Sequence, residues 1–313
     1  MRIWTPDILG DGFEMTYVAM PDDYSGKVRC TIIRKQSATA TQKAILYVHG
    51  FSDYFLQKEL AEMFARNGYN FYAVELRKYG RSLMPGQKMF QVRNLEEYFD
   101  DIDAALHIIS EDDNEKVALL GHSTGGLTAS LYASVNPNPI IKALMLNSPF
   151  LDWNLKPLLR KYIVPVISTL GSILPNVRVA QNPDRGYAES LHKEFGGEWD
   201  YNRNWKPDIL PNPDMGWIRA IHTAQKKLRN RLIHLPILLM HSAESVKSGD
   251  LKSKYKRADA ILDVQSISEV GRMIGENVTE VTFPGALHDL ALSEKSIRQD
   301  YYRTMLNWLD KVL

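Results

Sequence analysis

Val117-Ala118-Leu119-Leu120 runs directly into Gly121-His122-Ser123-Thr124-Gly125-Gly126, a junction that few folds accommodate. The apolar run is short and unalternated, as in a strand buried on both faces. The residues after Ser123 suit a helix. A serine with glycines two before and two after it is the G-x-S-x-G pattern of a sharp strand-to-helix turn. Such a turn crowds the flanking side chains, and glycine at 121 and 125 relieves the crowding. It also holds the hydroxyl clear of its neighbours, which a weak nucleophile requires if a base is to reach it. The five residues alone also fit a glycine-rich turn with an idle serine, so the surrounding chain has to decide.

That chain alternates strand and helix. Ala44–Val48 reads as a buried strand, 56–67 as a helix closed by Asn67-Gly68, and Tyr69–Leu76 as the next strand. From Asn94 the residues Leu95, Tyr98, Phe99, Ile102, Ala105, Leu106 and Ile109 recur at helical spacing. Lys116–Leu120, Thr124–Val135 and Ile141–Leu146 continue the rhythm as strand, helix and strand. Alternation of this kind predicts an α/β fold with a mostly parallel central sheet and helices on both faces. Residues 13–20 and 27–35 alternate apolar and polar around Pro21–Gly26, which predicts an antiparallel hairpin at the N-terminal edge. Residues 151–234 break the rhythm with helical pieces near 153–172, 187–195 and 214–231. They read as a helical cap inserted into a core domain of residues 1–150 and 235–313. Strands resume at Pro236–His241 and Val278–Phe283, and a final helix starts near Ser293.

Composition narrows the function classes. A net charge of +1 over 313 residues argues against a nucleic-acid-binding surface, which needs a basic excess. With Cys30 the single cysteine, no internal disulfide and no thiolate metal cluster can form. The longest apolar stretch, Tyr162–Leu174, is too short for a membrane span, and the N-terminus lacks a signal-type apolar region. A cytoplasmic protein without a metal or organic cofactor is the expectation. No dinucleotide fingerprint or phosphate-cradling loop is found.

A nucleophilic serine needs a histidine base, and the base needs a carboxylate. Of eight histidines, His49, His122, His241 and His288 fall at or near predicted strand ends. His107, His192, His222 and His234 fall on helices or in the cap. His288, in Leu287-His288-Asp289-Leu290, lies between the last strand and the last helix, from where it can swing over the sheet to Ser123.

At this point the chain resembles the α/β-hydrolase superfamily, and within it the monoacylglycerol lipase, lysophospholipase and serine-aminopeptidase-like branch. The resemblance spans about residues 27–313. It rests on the order of Val48-His49-Gly50-Phe51, Arg77–Ser82, Gly121–Gly126, Ser148-Pro149-Phe150-Leu151-Asp152 and Leu287–Leu290. It implies Ser123 as nucleophile, His288 as general base, and the backbone N–H groups of Phe51 and Thr124 as the oxyanion hole. His49 would support the hole rather than react, and Asp289 would cap or brace the His288 loop. The acid departs from the family pattern, because the segment after the strand reads His241-Ser242-Ala243-Glu244-Ser245, with serine where aspartate belongs. The order Asp263-Val264 followed by an amphipathic helix matches what the family shows after its acid. Asp263 is therefore the expected carboxylate, beyond an insertion of about eighteen residues, with Asp152, Glu244 and Asp250 as rivals.

The resemblance implies a serine hydrolase that cleaves carboxylic esters, with a small-molecule substrate of the monoacylglycerol or lysophospholipid kind. Trp153, Tyr162, Ile163 and Val166 would line an acyl-binding wall, although an apolar stripe at helical spacing fits cap packing equally well. Two other readings stay open. One is a prolyl-aminopeptidase-like enzyme that holds a substrate amino terminus with Glu194, Glu198 or Asp200. The other is a binding protein that kept the fold and lost turnover.

Overall fold

The computed structural model describes residues 2–181 and 184–313. Nine strands form one sheet: β1 (Thr5–Pro6), β2 (Phe13–Asp23), β3 (Gly26–Lys35), β4 (Lys43–Val48), β5 (Asn70–Glu75), β6 (Lys116–His122), β7 (Ile141–Asn147), β8 (Ile237–Ser242) and β9 (Val278–Phe283). Their spatial order is β1-β2-β3-β5-β4-β6-β7-β8-β9. The first four in that order pair antiparallel, and every pairing from β5–β4 to β8–β9 is parallel. The predicted hairpin is β2–β3, with strands longer than the alternation indicated and a shift of register near its turn. A two-residue strand such as β1 leaves no periodic signal, and the sequence did not announce it.

The helices lie on both faces. They are α1 (Lys58–Arg66), α2 (Phe99–Glu111), α3 (Thr124–Val135), α4 (Val164–Leu170), α5 (Gly186–Leu191), α6 (Met215–Leu228), α7 (Val264–Gly271) and α8 (Lys295–Val312). Side chains alternate across a strand, and β4 shows the result. Leu46 and Val48 pack with Ile102 of α2, Leu127 of α3 and Ile221 of α6. Ile45 and Tyr47 face the other way, onto Leu60 and Phe64 of α1 and Met305 of α8. Because both faces are covered, the central strands are apolar without alternation, which is why they read as continuous runs.

Between β7 and β8 the chain leaves the sheet. Its first helical stretch begins at Pro157 and not at 153, passes through a π-type turn over Leu159–Ile163, and runs into α4. The stretch predicted at 187–195 divides into α5 and a short 3-10 turn, Lys193–Phe195. α6 is amphipathic, capped by Asp214 accepting from Trp217 N–H at 2.8 Å, and seals this segment onto α3 and the sheet. A third apolar cluster, Tyr54, Leu191, Tyr201, Leu287 and Leu292, joins α5 and its neighbours to the loops after β4 and β9. No helix among the described residues is long and apolar enough to cross a membrane.

Candidate active site

The three inner loops that follow β4, β6 and β7 meet above their carboxyl ends, where open α/β sheets place their ligands. Ser123 occupies the turn between β6 and α3 with φ 52° and ψ −118°. A non-glycine residue pays about 1–3 kcal/mol for such a backbone, and the surroundings over-determine it. Ser123 N–H donates to Asn147 O at 3.0 Å, and Ser123 O accepts from Leu127 N–H at 3.1 Å and Phe150 N–H at 2.9 Å. A Cβ on Gly121 would stand 2.6 Å from Gly125 O, and one on Gly125 would stand 2.3 Å from the carbonyl oxygens of Val48 and His49. The glycines are thus required by close backbone approach.

His288 lies in the loop after β9. Its Nε2 is 3.0 Å from Ser123 Oγ and its Nδ1 is 2.8 Å from Asp259 Oδ2, all three side chains being buried. The carboxylate can only accept, so Nδ1 carries the proton and Nε2 is left to accept from the serine hydroxyl. Asp259 Oδ1 accepts the N–H groups of Ile261 and Leu262, each at 2.8 Å, which fixes the carboxylate plane.

Asp263, the carboxylate expected from sequence, is not the partner of His288. It caps α7, accepting from Gln265 N–H at 3.2 Å and Ser266 Oγ–H at 3.1 Å. The rivals are engaged elsewhere. Asp152 pairs with Arg160 and Arg229, Glu244 with Lys254, and Asp250 with Lys254. The reason is local pairing. After β8 the chain makes an excursion over 247–258 and returns, so that Asp259 N–H donates to Glu244 O at 2.8 Å and Val246 N–H donates to Asp259 O at 2.7 Å. This short parallel bridge between Ser245 and Asp259 puts the acid beside the position just past the strand. An aspartate followed by two N–H groups it can accept is the available sequence signal. The aspartate immediately before the helical pattern is better read as its N-cap.

The loop carrying His288 is braced by Asp289, which accepts from Gln57 Nε2–H and Asn147 Nδ2–H, each at 2.8 Å, and from Ala291 N–H at 3.0 Å. His122 packs its ring 4.9 Å from that of His288. Its basicity is lowered first by burial and then by His288, against the opposing pull of Asp289 and Asp53. His49 accepts Leu76 N–H on Nε2 at 3.1 Å and donates from Nδ1 to Gly50 O at 2.9 Å. Burial pushes its pKa down to about 4, so it is neutral and holds two loops together. His241 instead contacts Glu280, at 3.0 Å. Phe51 and Thr124 line the cavity over Ser123, and among the described residues their N–H groups have no protein acceptor.

The cavity measures about 750 Å³. Trp153 and Ile163 line it, as do Leu159, Val164, Ile167 and Trp217, giving one apolar wall. Tyr162 and Val166 do not. They are 55% and 56% exposed on the outer side of the same helical stretch, because the π-type turn and α4 direct alternate faces inward and outward. Tyr187 and Tyr201 line the cavity, whereas Trp199 and Trp205 pack in the third cluster. Glu194, Glu198 and Asp200 are tied to Arg203, Arg298 and Lys193, and none of the three lines it. No local pattern announces Asp53 and Lys206, which form a buried ion pair at 2.8 Å within the lining. Asp53, His122 and Asp289 also converge within 4.8 Å. The ammonium of Lys206 already supplies the cation that Asp53 needs, and Asp289 is saturated by its three donors, so this group does not have the character of a metal site. A more open cleft of about 770 Å³ lies among Arg2, Trp4, Arg34, Glu111 and Asp112. Its charges are internally paired, Arg2 with Glu111 and Arg34 with Asp112.

With the geometry established, known proteins supply context. Residues 39–295 match the model of the Hydrolase_4 family, described as serine aminopeptidase, S33. Phospholipase YtpA of Bacillus subtilis (strain 168) is 32% identical over 136 residues, which are 43% of this chain and 50% of that protein. The alignment thus spans half the length of this curated relative. Among solved structures, a soluble variant of monoglyceride lipase from Saccharomyces cerevisiae superposes with a TM-score of 0.68 at 19% identity, covering 95% of this chain and 96% of that one. Monoacylglycerol lipase of Paleococcus ferrophilus gives 0.65 at 19% identity, covering 90% and 99%. The fold is that of the α/β-hydrolases.

Proposed function

Because the chain belongs to the Hydrolase_4 (serine aminopeptidase, S33) family, we propose that it is a serine hydrolase that cleaves carboxylic esters through an acyl-enzyme on Ser123. The observation that carries this reading is the unbroken line from Ser123 Oγ through His288 to Asp259 at 3.0 and 2.8 Å. Ser123 Oγ attacks the ester carbonyl as His288 Nε2 takes its proton. The tetrahedral oxyanion accepts from the N–H groups of Phe51 and Thr124, each contributing about 3–4 kcal/mol to transition-state stabilisation. Thr124 opens α3, whose N-terminal dipole acts in the same sense. His288 then protonates the leaving alcohol, and water repeats the cycle on the acyl-enzyme. Asp259 holds the Nδ1–H tautomer and stabilises the imidazolium.

Residues 151–234 act as a cap over the core of residues 1–150 and 235–313. The apolar wall formed by Trp153, Leu159, Ile163, Val164, Ile167 and Trp217 suits a hydrophobic acyl chain. A lipid-like ester agrees with the relatives, which carry the names phospholipase and monoglyceride lipase. The aminopeptidase reading has less support, since the acids that would hold a substrate amino terminus are neutralised by their own partners. The binding-protein reading has less support, since a buried carboxylate, that of Asp259, lies 2.8 Å from His288 Nδ1.

A fluorophosphonate probe should label the wild type on Ser123. The Ser123→Ala variant should be unlabelled and lose turnover by on the order of 10⁴-fold or more. Run beside an ester panel and an aminoacyl-anilide panel, the assay separates the chemistries. Absence of wild-type labelling would overturn the enzyme reading, and turnover of anilides alone would move it to a peptidase.

A further inference from the structure

Ester hydrolysis by Ser123, His288 and Asp259 leaves the Lys206–Asp53 pair without a task. Both residues line the cavity that holds Ser123 and His288. Their side chains are about 10% and 2% exposed, with Nζ 2.8 Å from Oδ1. An ion pair this deep is a poor fastener. Removing two charges from water costs several kcal/mol, and well-packed apolar residues of the same volume would hold the chain as well or better.

Its hydrogen bonding is also incomplete. Asp53 takes one of the three ammonium protons. The aromatic faces of Tyr187 and Tyr201 flank the ammonium, with centroids at 5.9 and 6.0 Å. Among the described residues the other two N–H groups have no acceptor. Buried donors normally find partners, and a ligand oxygen in the cavity would serve.

The position identifies which oxygen. Tyr187 packs against Lys206 on one side and against His288 on the other, its ring 5.9 Å from the imidazole. The leaving alcohol has to lie beside His288, which protonates it. The acyl chain is accommodated by the apolar wall. Asp53 meanwhile cancels the ammonium charge, Asp184 also lines the cavity, and the lining carboxylate of Asp208 is itself paired with Arg203. The pair therefore offers directed hydrogen bonds without a net positive field, which favours a neutral hydroxyl over a phosphate.

We propose that Lys206, oriented by Asp53, is a specificity-determining residue that donates hydrogen bonds to a hydroxyl group on the alcohol part of a neutral ester. The inference rests on the ester-hydrolase reading and deepens it. Its test compares kcat/KM for a 1-acylglycerol and for the methyl ester of the same acid. The wild type should prefer the glycerol ester by about tenfold, the value of one hydrogen bond from a charged donor. In Lys206→Met that preference should fall to near parity, with the loss in KM, and Lys206→Arg should restore part of it. The double variant Asp53→Asn/Lys206→Met removes both charges together and gives the same readout without leaving a lone buried carboxylate.

An equal loss on both esters in the double variant would make the pair a structural latch and overturn the proposal. A wild-type preference for an acylglycerol phosphate over the neutral ester would overturn it too. A second arm needs neither variants nor turnover. Quenching of tryptophan fluorescence, with Trp153 and Trp217 in the cavity wall, should show 1-O-dodecylglycerol binding about tenfold tighter than dodecanol. Equal affinities would refute the role of Lys206 even in a protein active on esters. A tenfold difference in a protein that turns over no ester would refute the hydrolase reading alone.

Discussion

The serine turn and the acid loop each deliver one side chain to His288, and they do so by opposite physical means. At Gly121–Gly126 the backbone itself is the constraint. Ser123 is held at φ 52°, three backbone hydrogen bonds fix it, and its flanking glycines touch neighbouring carbonyls. At 243–263 the chain is free to wander, and a dozen residues leave and return before two hydrogen bonds to 244 and 246 locate Asp259. The first device depends on residue type at fixed spacing, and the second on a contact between segments of no fixed separation. One tolerates almost no substitution and no insertion. The other absorbs an excursion, because only its closing bridge has to be in register.

The sharpest way to break this comparison is to exchange the two acids near α7. Asp259→Asn should lower kcat by on the order of 10⁴-fold while leaving the fold intact, because an amide at that place favours the wrong imidazole tautomer. Asp263→Asn should stay within a fewfold of wild type, as asparagine caps a helix about as well as aspartate. Ester turnover by purified variants, with circular dichroism as the control for folding, reads both. Reversed results would mean that the bridge between 245 and 259 does not form in solution.

The loop ends that surround the serine turn carry the next effect. His49 has a folded-state pKa of about 4 against an ordinary 6.5, so between those values the unfolded chain binds the proton and the native one does not. Stability therefore falls as pH drops from 6.5 to 4 and levels off below, by about 3 kcal/mol for this group. Urea denaturation across that range should show a shallower loss in His49→Gln than in wild type. Parallel curves would remove His49 from the acid response.

Smaller again is the direct test of the turn. Gly125→Ala places a methyl group 2.3 Å from two carbonyl oxygens, and relief demands that β4 and α3 move apart. The expected cost is about 1–3 kcal/mol, the usual range for overpacking, with esterase activity lost out of proportion as Ser123 shifts from His288. Thermal denaturation beside kcat would show it. A stable, fully active variant would mean that the turn is more compliant than its contacts indicate.

These differences also explain what was legible in the sequence. The sheet, its helices and the Gly121–Gly126 turn were readable because each depends on local pattern: unalternated apolar runs for β4, β6 and β7, a 3.6 period for α2, glycines at fixed offsets around Ser123. His288 was readable by its order between the last strand and the last helix. Asp259 was not, because the excursion after β8 destroys the spacing that would announce it, and Asp263 offers a rival with the look of a terminal acid. Tyr162 and Val166 share an apolar stripe with Ile163 in the sequence, yet which face of a short helix turns inward depends on the π-type turn before it. Lys206 and Asp53 are 153 residues apart, and no local rule joins them.

The acid loop admits one further, small test, and it bears on why two aspartates four residues apart do different things. Asp263 accepts two hydrogen bonds at the start of α7, from Gln265 N–H and Ser266 Oγ–H. Val264 N–H, next to it, donates to Ser245 Oγ at 2.9 Å, tying the start of the helix to the segment that Asp259 pairs with. Asp263→Ala removes the cap and leaves that tie. The expected cost is about 1 kcal/mol of stability, seen as a lowered urea midpoint with an unchanged slope, while kcat stays within about twofold. If kcat falls with stability, the cap of α7 and the seat of Asp259 behave as one unit, and the closing bridge needs the helix behind it. If it does not, two hydrogen bonds suffice to seat the acid, and the loop's tolerance of its excursion follows from the bridge alone.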